Sequence, residues 1–239
     1  MRAAAFGLSD VGRRRESNED AFLVDARSDL YIIADGMGGY AAGEVASRIA
    51  VDSLKEVLSG PHDGKAAVRL QDAVQEANAR ICDSQAQADQ RQMGTTLVAM
   101  VVENERAIIG HVGDSRAYLL REGALRRLTS DHSWVNEQVK LGLLSDEAAQ
   151  RHPMRNIVTR ALGSRTEATA ELREEGIRSG DVFLLCSDGL NTMVPDPEID
   201  AILQRSGEDP ERACRELVSR ANERGGEDNT TVVVVHVGS

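Results

Sequence analysis

The sequence is poor in the residues that separate domains or cross-link small folds. Proline occurs only 5 times in 239 residues, and no tract rich in proline, glycine or serine interrupts the chain. Without such a linker, the length predicts one domain over residues 1–239. The 3 cysteines are an odd number and have no C-x-x-C spacing, which argues against a disulfide framework and a structural zinc site.

Long apolar runs and excess positive charge are also missing. No apolar stretch approaches the roughly 18 residues of a membrane span, and that of "MRAAAFGLSD" is too short for a secretory signal. Acidic residues number 39 against 28 basic ones, a formal net charge of −11. Such a surface is unsuited to nucleic acid or an anionic membrane. We therefore expect a cytoplasmic protein with neither partner. The 5 histidines form no H-x-H or HExxH pattern, so a histidine-rich metal site is disfavoured.

The apolar residues that are present follow two periods. A period of two predicts strands at about Ala3–Ser9, Ala21–Asp25 and Leu30–Ala34, and a helical period predicts helices at about Gly43–Leu58 and Lys65–Ala88. Short β-type runs separated by tight turns come next and predict an antiparallel meander: "TTLVAMVVE", "RAIIGHVG", "SRAYLLR" and "LRRLTS".

The second half of the chain also contains both helix and strand patterns. A polar segment from Ser133 to about Arg155 predicts short helices outside the core, and "DVFLLCSD" predicts a buried strand. Helices near Pro197–Gln204 and Pro210–Asn222 precede a final strand, "NTTVVVVHV". Runs of strands followed by runs of helices are typical of α+β layering. We expect two antiparallel sheets face to face, with helix pairs outside.

Acidic residues recur at the ends of the apolar strands. Aspartate follows a predicted strand at Asp35 in "YIIADGMGG", at Asp114 and at Asp188, and Asp228 and the pair Glu19-Asp20 each precede one. Any one of them alone could be a turn residue, since Asp-Gly is a common hairpin signal. If the sheets bring these ends together, the carboxylates repel and raise one another's pKa values. Cations are the natural compensation.

The ligand types favour particular ions and a particular chemistry. Carboxylates without histidine or cysteine select Mg²⁺ or Mn²⁺ rather than Zn²⁺, and more than three suit two or more ions. Ions about 3.5–4 Å apart clamp a phosphoryl group and turn bound water into a nucleophile near neutral pH. Arg15 can bind phosphate through two hydrogen bonds. The residues predict a metal-dependent phosphohydrolase; the acidic surface disfavours a nuclease.

Eight segments, in order from Ser9 to Val235, resemble the metal-dependent protein phosphatases of type 2C (PPM) in their compact bacterial form. They are "SDVGRRRESNED", "ADGMGGYAAGEVAS", "MGTTLVAMVV", "GHVGDSRAYLLR", "LTSDHSW", "HPMRNIVTRALG", "LLCSDGL" and "GGEDNTTVVVV". The resemblance implies a four-layer α-β-β-α sandwich of two antiparallel sheets flanked by helix pairs, with a small flap subdomain at about residues 133–155. It also implies a monomeric serine/threonine phosphatase that hydrolyses phosphoproteins by attack of a metal-bridging hydroxide and reverses a cognate bacterial kinase.

The resemblance also implies the ligands of the Mn²⁺ or Mg²⁺ ions. Asp35 would bridge the two core ions, and the backbone carbonyl of Gly36 would bind one of them. Asp188 and Asp228 match the other metal aspartates of the family. Asp114, in "GDSR", matches the position that holds a third, weaker ion in bacterial members.

Further roles are implied for residues around the ions. Arg15 matches the phosphate-binding arginine. Asp20 would act through bound water, with Glu19 beside it outside the metal shell. Asn229 would orient the neighbouring carboxylate of Asp228.

The sequence departs from many eukaryotic members at one position. Met37 stands where they carry a histidine general acid, so the leaving group must take its proton from a metal-bound water or another group. His152 could approach the site from the flap, although an ordinary surface role is favoured. Trp134, the only tryptophan, could contact substrate or pack within the flap.

Two other functions are weighed against phosphatase activity. A catalytically dead phosphoprotein-binding module would not need to keep a repulsive carboxylate cluster. A serine esterase using "GDS" at Gly113–Ser115 would need a histidine base, and no late D-x-x-H pattern accompanies it. Both are disfavoured on these grounds.

Overall fold

The structure is a computed structural model that describes residues 3–38, 42–60, 64–88 and 93–238. Gly39, the last residue of "YIIADGMGG", lies outside them. The strands are β1 (Ala3–Asp10), β2 (Asp20–Asp25), β3 (Leu30–Met37), β4 (Gly94–Thr95), β5 (Leu97–Glu103), β6 (Arg106–Val112), β7 (Arg116–Arg121), β8 (Ala124–Arg127), β9 (Glu171–Gly176), β10 (Val182–Cys186) and β11 (Thr230–Val237).

The helices lie between these strands, largely where the sequence predicts them. They are α1 (Ala42–Leu58), α2 (Ala66–Ala88), α3 (Trp134–Lys140), α4 (Asp146–Gln150), α5 (Asp188–Met193), α6 (Asp196–Ser206) and α7 (Pro210–Glu223). In the part of the chain described here, no helix combines the length and the apolar character that crossing a bilayer requires.

The strands form two antiparallel sheets. Sheet I has the order β1-β11-β10-β7-β8, and sheet II has the order β2-β3-β5-β6-β9, with β4 beside the end of β3. The paired neighbours within each sheet run antiparallel. This arrangement confirms the predicted α+β class.

Successive apolar side chains along each strand point to opposite faces of its sheet, and together they form three hydrophobic cores. On β3, Tyr31 and Ile33 pack between the two sheets, whereas Leu30 and Ile32 pack against α1 and α2. On β10, Leu184 faces the helices on the outside of sheet I. Burying each such side chain contributes about 1.5–3 kcal/mol. The layers are therefore helices, sheet, sheet and helices, as predicted.

The prediction of one continuous meander is wrong. β5 and β6 pair in sheet II, whereas β7 and β8 pair in sheet I. The chain crosses between the sheets at Gly113, whose φ is 108°. A Cβ there would lie 2.6 Å from Cβ of Thr96, so glycine is required. A short turn in the sequence does not distinguish a hairpin from such a crossover.

Two further elements have no counterpart in the predicted order. β9, with the sequence "ELREEG", is an exposed edge strand of sheet II. Most of its residues are charged, so its sequence lacks the apolar alternation that predicts a strand. α5 follows β10 directly and spans only six residues. Of these two elements, α5 carries a residue of the predicted site, because it begins at Asp188.

The flap segment, residues 133–155, contains α3 and α4 and is fastened at its base. The serine side chains of Ser133 and Ser145 cap the two helices. The Trp134 N–H donates to the Ile157 carbonyl at 2.8 Å, and the Thr159 N–H donates to the His132 carbonyl at 2.8 Å. The segment therefore leaves and re-enters the fold at one narrow point.

Candidate active site

The predicted aspartates meet at one end of the sandwich. Asp20 and Asp35 are directly opposite each other on β2 and β3. Burial raises the pKa of Asp35 well above its ordinary value, and the charges of Asp20, Asp188, Asp114 and Asp228 raise it further. These five residues, called the carboxylate cluster below, come from five separate parts of the chain.

Two hydroxyl groups hold one carboxylate oxygen of Asp20. Its Oδ2 accepts hydrogen bonds from Ser187 Oγ at 2.9 Å and from Thr231 Oγ1 at 2.6 Å. Its Oδ1 is buried without a hydrogen-bond partner among the described residues. Burial raises the pKa of Asp20 to about 7, against the effect of the two hydroxyls. A buried acceptor of this kind requires a partner such as water or a cation.

Asp114 and Asp188 experience similar repulsion. Burial, together with the charge of Asp188, raises the pKa of Asp114 to about 8. Burial and the charge of Asp228 raise the pKa of Asp188 to about 6, although a hydrogen bond with Asp35 and the charge of Arg15 act in the opposite direction. A buried set of oxygen ligands with excess negative charge fits hard divalent cations such as Mg²⁺ and Mn²⁺.

The backbone at the end of β3 is packed too closely for any residue but glycine. A Cβ on Gly36 would lie 2.2 Å from the carbonyl oxygen of Gly43 at the start of α1. The Gly36 N–H donates to the Glu19 carbonyl at 3.2 Å, and the Asp35 carbonyl accepts from the Thr96 N–H at 2.8 Å. The carbonyl of Gly36 is therefore held on a rigid backbone beside the cluster.

Asn229 connects the last strand to the loop before β2. Its Oδ1 accepts from the Glu19 N–H at 2.8 Å, and its Nδ2 donates to the carbonyls of Val11 and Ser17 at 3.0 and 2.9 Å. The contact with Asp228 comes from the Asn229 backbone N–H, 2.8 Å from Asp228 Oδ1. The side chain thus fixes the loop, and the backbone orients the carboxylate.

Arg15 is the member of the "RRR" run that reaches the cluster. Its Nη2 donates to Asp228 Oδ2 at 2.7 Å, and its side chain is 51% exposed. That hydrogen bond raises the pKa of Arg15, as do the charges of Asp228, Glu19 and Asp35. Burial raises the pKa of Glu19, which the charge of Arg15 opposes. The guanidinium therefore lies at the boundary between the cluster and solvent.

A groove of about 670 Å³ opens beside the cluster at Asp114 and Asp188. The flap segment forms one wall, and α5 with the start of α6 forms the other. Trp134 and His152 are absent from its lining: their rings pack against each other with centroids 5.0 Å apart. This packing agrees with an ordinary role for His152 rather than a catalytic one.

A second group of possible metal ligands includes none of the cluster aspartates: His111, His132 and Glu171 have ligand atoms within 4.8 Å of one another. The two imidazoles are stacked, with centroids 4.7 Å apart and planes 13° apart. His132 Nδ1 accepts from the Gly113 N–H at 3.1 Å, and His111 Nε2 donates to the Ser130 carbonyl at 3.0 Å. Ring-nitrogen lone pairs lie in the ring plane, so parallel stacked rings do not converge on one ion. This group is a structural contact.

The hydroxyl residues that support the cluster were not predicted from the sequence. Ser187 precedes Asp188, and its N–H donates to the Thr231 carbonyl at 3.0 Å while its Oγ accepts from the Thr231 N–H at 2.9 Å. The only signal was a hydroxyl residue in "CSD" and two in "NTT", beside acidic positions. Their role depends on a strand pairing that the sequence does not display.

Comparisons with known proteins identify the family of the chain. The profile described as protein phosphatase 2C matches residues 12–228. The serine/threonine phosphatase stp of Listeria monocytogenes serotype 4b is 41% identical over 235 residues, which cover 95% of this chain and 93% of that protein. The serine/threonine protein phosphatase PstP of Mycobacterium tuberculosis is 42% identical over 231 residues, which cover 96% of this chain and 44% of that protein.

Solved structures show the same fold. The crystal structure of the M. tuberculosis phosphatase PstP/Ppp superposes with a TM-score of 0.93 at 37% identity, covering 99% of both chains. A catalytic domain of PstP, described as a complex with 2 manganese ions, superposes with a TM-score of 0.91 at 36% identity, also covering 99% of both chains. The chain belongs to the protein phosphatase 2C family, and its activity is that of a metal-dependent serine/threonine protein phosphatase.

Proposed function

We propose that this protein removes phosphate from phosphoserine and phosphothreonine in proteins, using Mn²⁺ or Mg²⁺ held by the carboxylate cluster. The observation that carries the proposal is the convergence of five aspartates. Burial, together with neighbouring charges, raises the pKa values of four of them, Asp20, Asp35, Asp114 and Asp188. An acyl-transfer enzyme or a phosphoprotein-binding module has no use for such a cluster, whereas a phosphohydrolase does.

We assign the ligands of the ions as follows. Asp35, the carbonyl of Gly36, Asp188 and Asp228 hold two core ions, and the 2 manganese ions named for the PstP catalytic domain support that number. Asp114 holds a third, weaker ion at the border of the groove. When bound, the ions supply a nucleophile derived from water and neutralise the phosphate.

The other residues of the site position substrate and water. Arg15 offers two N–H groups of its guanidinium to phosphate oxygens, and its half-exposed position leaves room for an incoming phosphate. Asp20 accepts a water proton at its free Oδ1 while Ser187 and Thr231 hold its Oδ2. Glu19 supports this edge of the cluster through the loop that Asn229 fixes.

Residue 37 takes no part in proton transfer. Met37 is the last residue of β3, and a methionine thioether carries no transferable proton. The leaving alkoxide therefore takes its proton from water or from another group of the site.

We also propose the domain organisation, the oligomeric state, the location and the partners of the enzyme. Three hydrophobic cores are completed within one chain, which supports a single catalytic domain, residues 1–239 with the flap at 133–155, acting as a monomer. Three free cysteines, Cys82, Cys186 and Cys214, suit a reducing compartment and support a cytoplasmic location. Its partners would be phosphoproteins and the serine/threonine kinase that produces them.

The decisive experiment is phosphate release from a phosphothreonine peptide with Mn²⁺, with Mg²⁺ and with excess EDTA. Release with either ion and none with EDTA is the expected result. A chain that binds the peptide with Mn²⁺ and never releases phosphate would be a binding module instead. Covalent labelling by a serine-directed fluorophosphonate would indicate an esterase.

A further inference from the structure

We propose that the groove selects phosphopeptides with an acidic side chain close to the phosphorylated residue, and that Arg151 and Arg155 of the flap segment bind that side chain. The inference rests on the proposed function, because it places the phosphate of the same substrate at the carboxylate cluster. It adds a binding site for a neighbouring residue of the peptide.

The groove joins the two places that such a substrate would touch. Its lining includes Asp114 and Asp188 of the cluster as well as Arg151 and Arg155. Its volume of about 670 Å³ falls within the roughly 300–1,000 Å³ of pockets that hold a drug-sized molecule. A few residues of extended peptide therefore fit between the cluster and the flap segment.

The other arginines along the groove are already engaged. Arg116 donates to Asp131 through Nε at 3.0 Å and through Nη2 at 2.6 Å. Arg127 Nη1 lies 3.6 Å from the same carboxylate, and Arg224 Nη2 donates to Glu198 Oε2 at 2.5 Å. Each of these three guanidinium groups therefore already lies beside an acidic side chain of the protein.

Arg151 and Arg155 differ in this respect. Both side chains are exposed, and neither forms an ion pair within the described residues. Hydrogen bonds hold the backbone of both residues. The Arg151 N–H, at the end of α4, donates to the Ala148 carbonyl at 3.3 Å, and the Arg155 N–H, in the turn that follows, donates to the His152 carbonyl at 3.0 Å. Two cations thus stand on one anchored wall of the groove, with their guanidinium groups available.

The charge of the whole chain makes this wall selective. A protein with net charge −11 repels an acidic peptide over most of its surface. Asp146 lies on the same wall, in the first turn of α4. The partial positive charge at the N-terminus of the helix stabilises its carboxylate there. A guanidinium binds a carboxylate through two parallel hydrogen bonds, a geometry that a neutral side chain cannot offer. Acidic neighbours of the phosphorylated residue are therefore the ones that this wall attracts.

The test compares two phosphothreonine peptides that differ only in having glutamate or glutamine at positions flanking the phosphothreonine. KM and kcat are measured with saturating Mn²⁺ for wild type, Arg151→Ala, Arg155→Ala and the double variant. Arg212→Ala is the matched control, because Arg212 is an exposed arginine of α7, outside the groove lining.

For wild type we expect a KM for the glutamate peptide about 5- to 20-fold below that for the glutamine peptide, the effect of two partly exposed charge pairs. The double variant should bring the ratio close to one, each single variant should lie between, and Arg212→Ala should keep the wild-type ratio. Added salt should shrink the wild-type ratio, because exposed charges are screened. That salt titration needs no variant, so it tests the proposal even if a substitution disturbs folding.

Two results would overturn the proposal: equal KM values for the two peptides with wild type, or a ratio that the double variant leaves intact. Both are distinct from failure of the proposed function, which would show as no phosphate release from either peptide at any Mn²⁺ concentration.

Discussion

The guanidinium of Arg15 and the carboxylate of Asp228 lie 2.7 Å apart, from Nη2 to Oδ2, at the border of the carboxylate cluster. One partner is our proposed phosphate ligand and the other is a proposed metal ligand. Both side chains are substantially exposed, 51% and 36%, and a pair of this kind contributes only about 0–1 kcal/mol. An incoming phosphate can therefore replace the carboxylate as the partner of the guanidinium at a small cost in free energy.

This contact makes the effect of Arg15→Ala specific. We expect kcat/KM on a phosphopeptide to fall about 10- to 200-fold, the equivalent of one charge-assisted hydrogen bond. Mn²⁺ affinity, measured by calorimetry, should stay near wild type, because the substitution leaves every aspartate in place. Arg15→Lys keeps the charge without the planar fork and should restore only part of the rate. Wild-type kcat/KM in the alanine variant would mean that the ions alone hold the phosphate.

Metal removal should abolish hydrolysis and lower the melting temperature. The ions relieve the repulsion within the cluster and bind only the folded chain, so Mn²⁺ should raise Tm with its concentration. In Asp35→Asn and Asp188→Asn, activity and the Mn²⁺-dependent rise of Tm should both be largely lost. Tm in EDTA should equal or exceed that of wild type, because one buried repulsive charge is gone. A variant that unfolds in EDTA would show that the aspartate has a structural role.

The metal-free protein should become less stable as the pH rises from about 4 to about 8. Folded-state pKa values of about 6 for Asp188, about 7 for Asp20 and about 8 for Asp114 lie above the ordinary value near 3.9. Over that range the unfolded chain has released protons that the folded chain still holds. Since the folded state binds more protons, raising the pH favours unfolding.

Urea midpoints between pH 5 and pH 8 would check this slope. In EDTA the midpoint should fall with pH, and Asp35→Asn, which lacks the central charge, should show a shallower fall. Saturating Mn²⁺ binds the ionised carboxylates, so it should flatten or reverse the slope. A midpoint in EDTA that increases over this range contradicts the predicted repulsion.

The sequence sufficed for the layers and for the cluster's membership because both follow from local patterns. Alternation placed Tyr31 and Ile32 on opposite faces of β3, and each cluster aspartate adjoins a strongly apolar run. The crossover at Gly113 was not predictable in this way, because a three-residue connection has the same local signals in a hairpin and between sheets. β9 was not predicted because an exposed edge strand needs no apolar face and therefore shows no apolar alternation.

The support of the cluster could not be predicted for a different reason. Thr231 lies 211 residues from Asp20 and contacts it across the two sheets, since Thr231 belongs to β11 of sheet I and Asp20 to β2 of sheet II. A hydroxyl in a strand of valines suggests ordinary packing. Its role becomes visible only when the register of β11 is known, and that register also brings Thr231 within 2.7 Å of Ser9 Oγ.

Thr231→Val tests whether that hydroxyl sets the geometry of the site. Valine keeps the shape and burial of threonine but cannot donate to Asp20 Oδ2, so the carboxylate loses one of its two orienting hydrogen bonds. Removing a partner of this kind typically reduces metal affinity or activity about 10- to 100-fold. We expect a loss in that range in Mn²⁺ titrations of activity, with binding followed in parallel by calorimetry.

Thr231→Ser keeps the donor and is the matched control, so it should retain most of the wild-type Mn²⁺ affinity. Thr231→Val should lose Mn²⁺ affinity and Mn²⁺-dependent activity without losing stability, because the folded cores on both sides of β11 are unchanged. If Thr231→Val binds Mn²⁺ and hydrolyses phosphopeptide like wild type, Ser187 alone is sufficient to orient Asp20. If both variants lose Tm equally in EDTA, the position matters for packing and not for the orientation of the carboxylate.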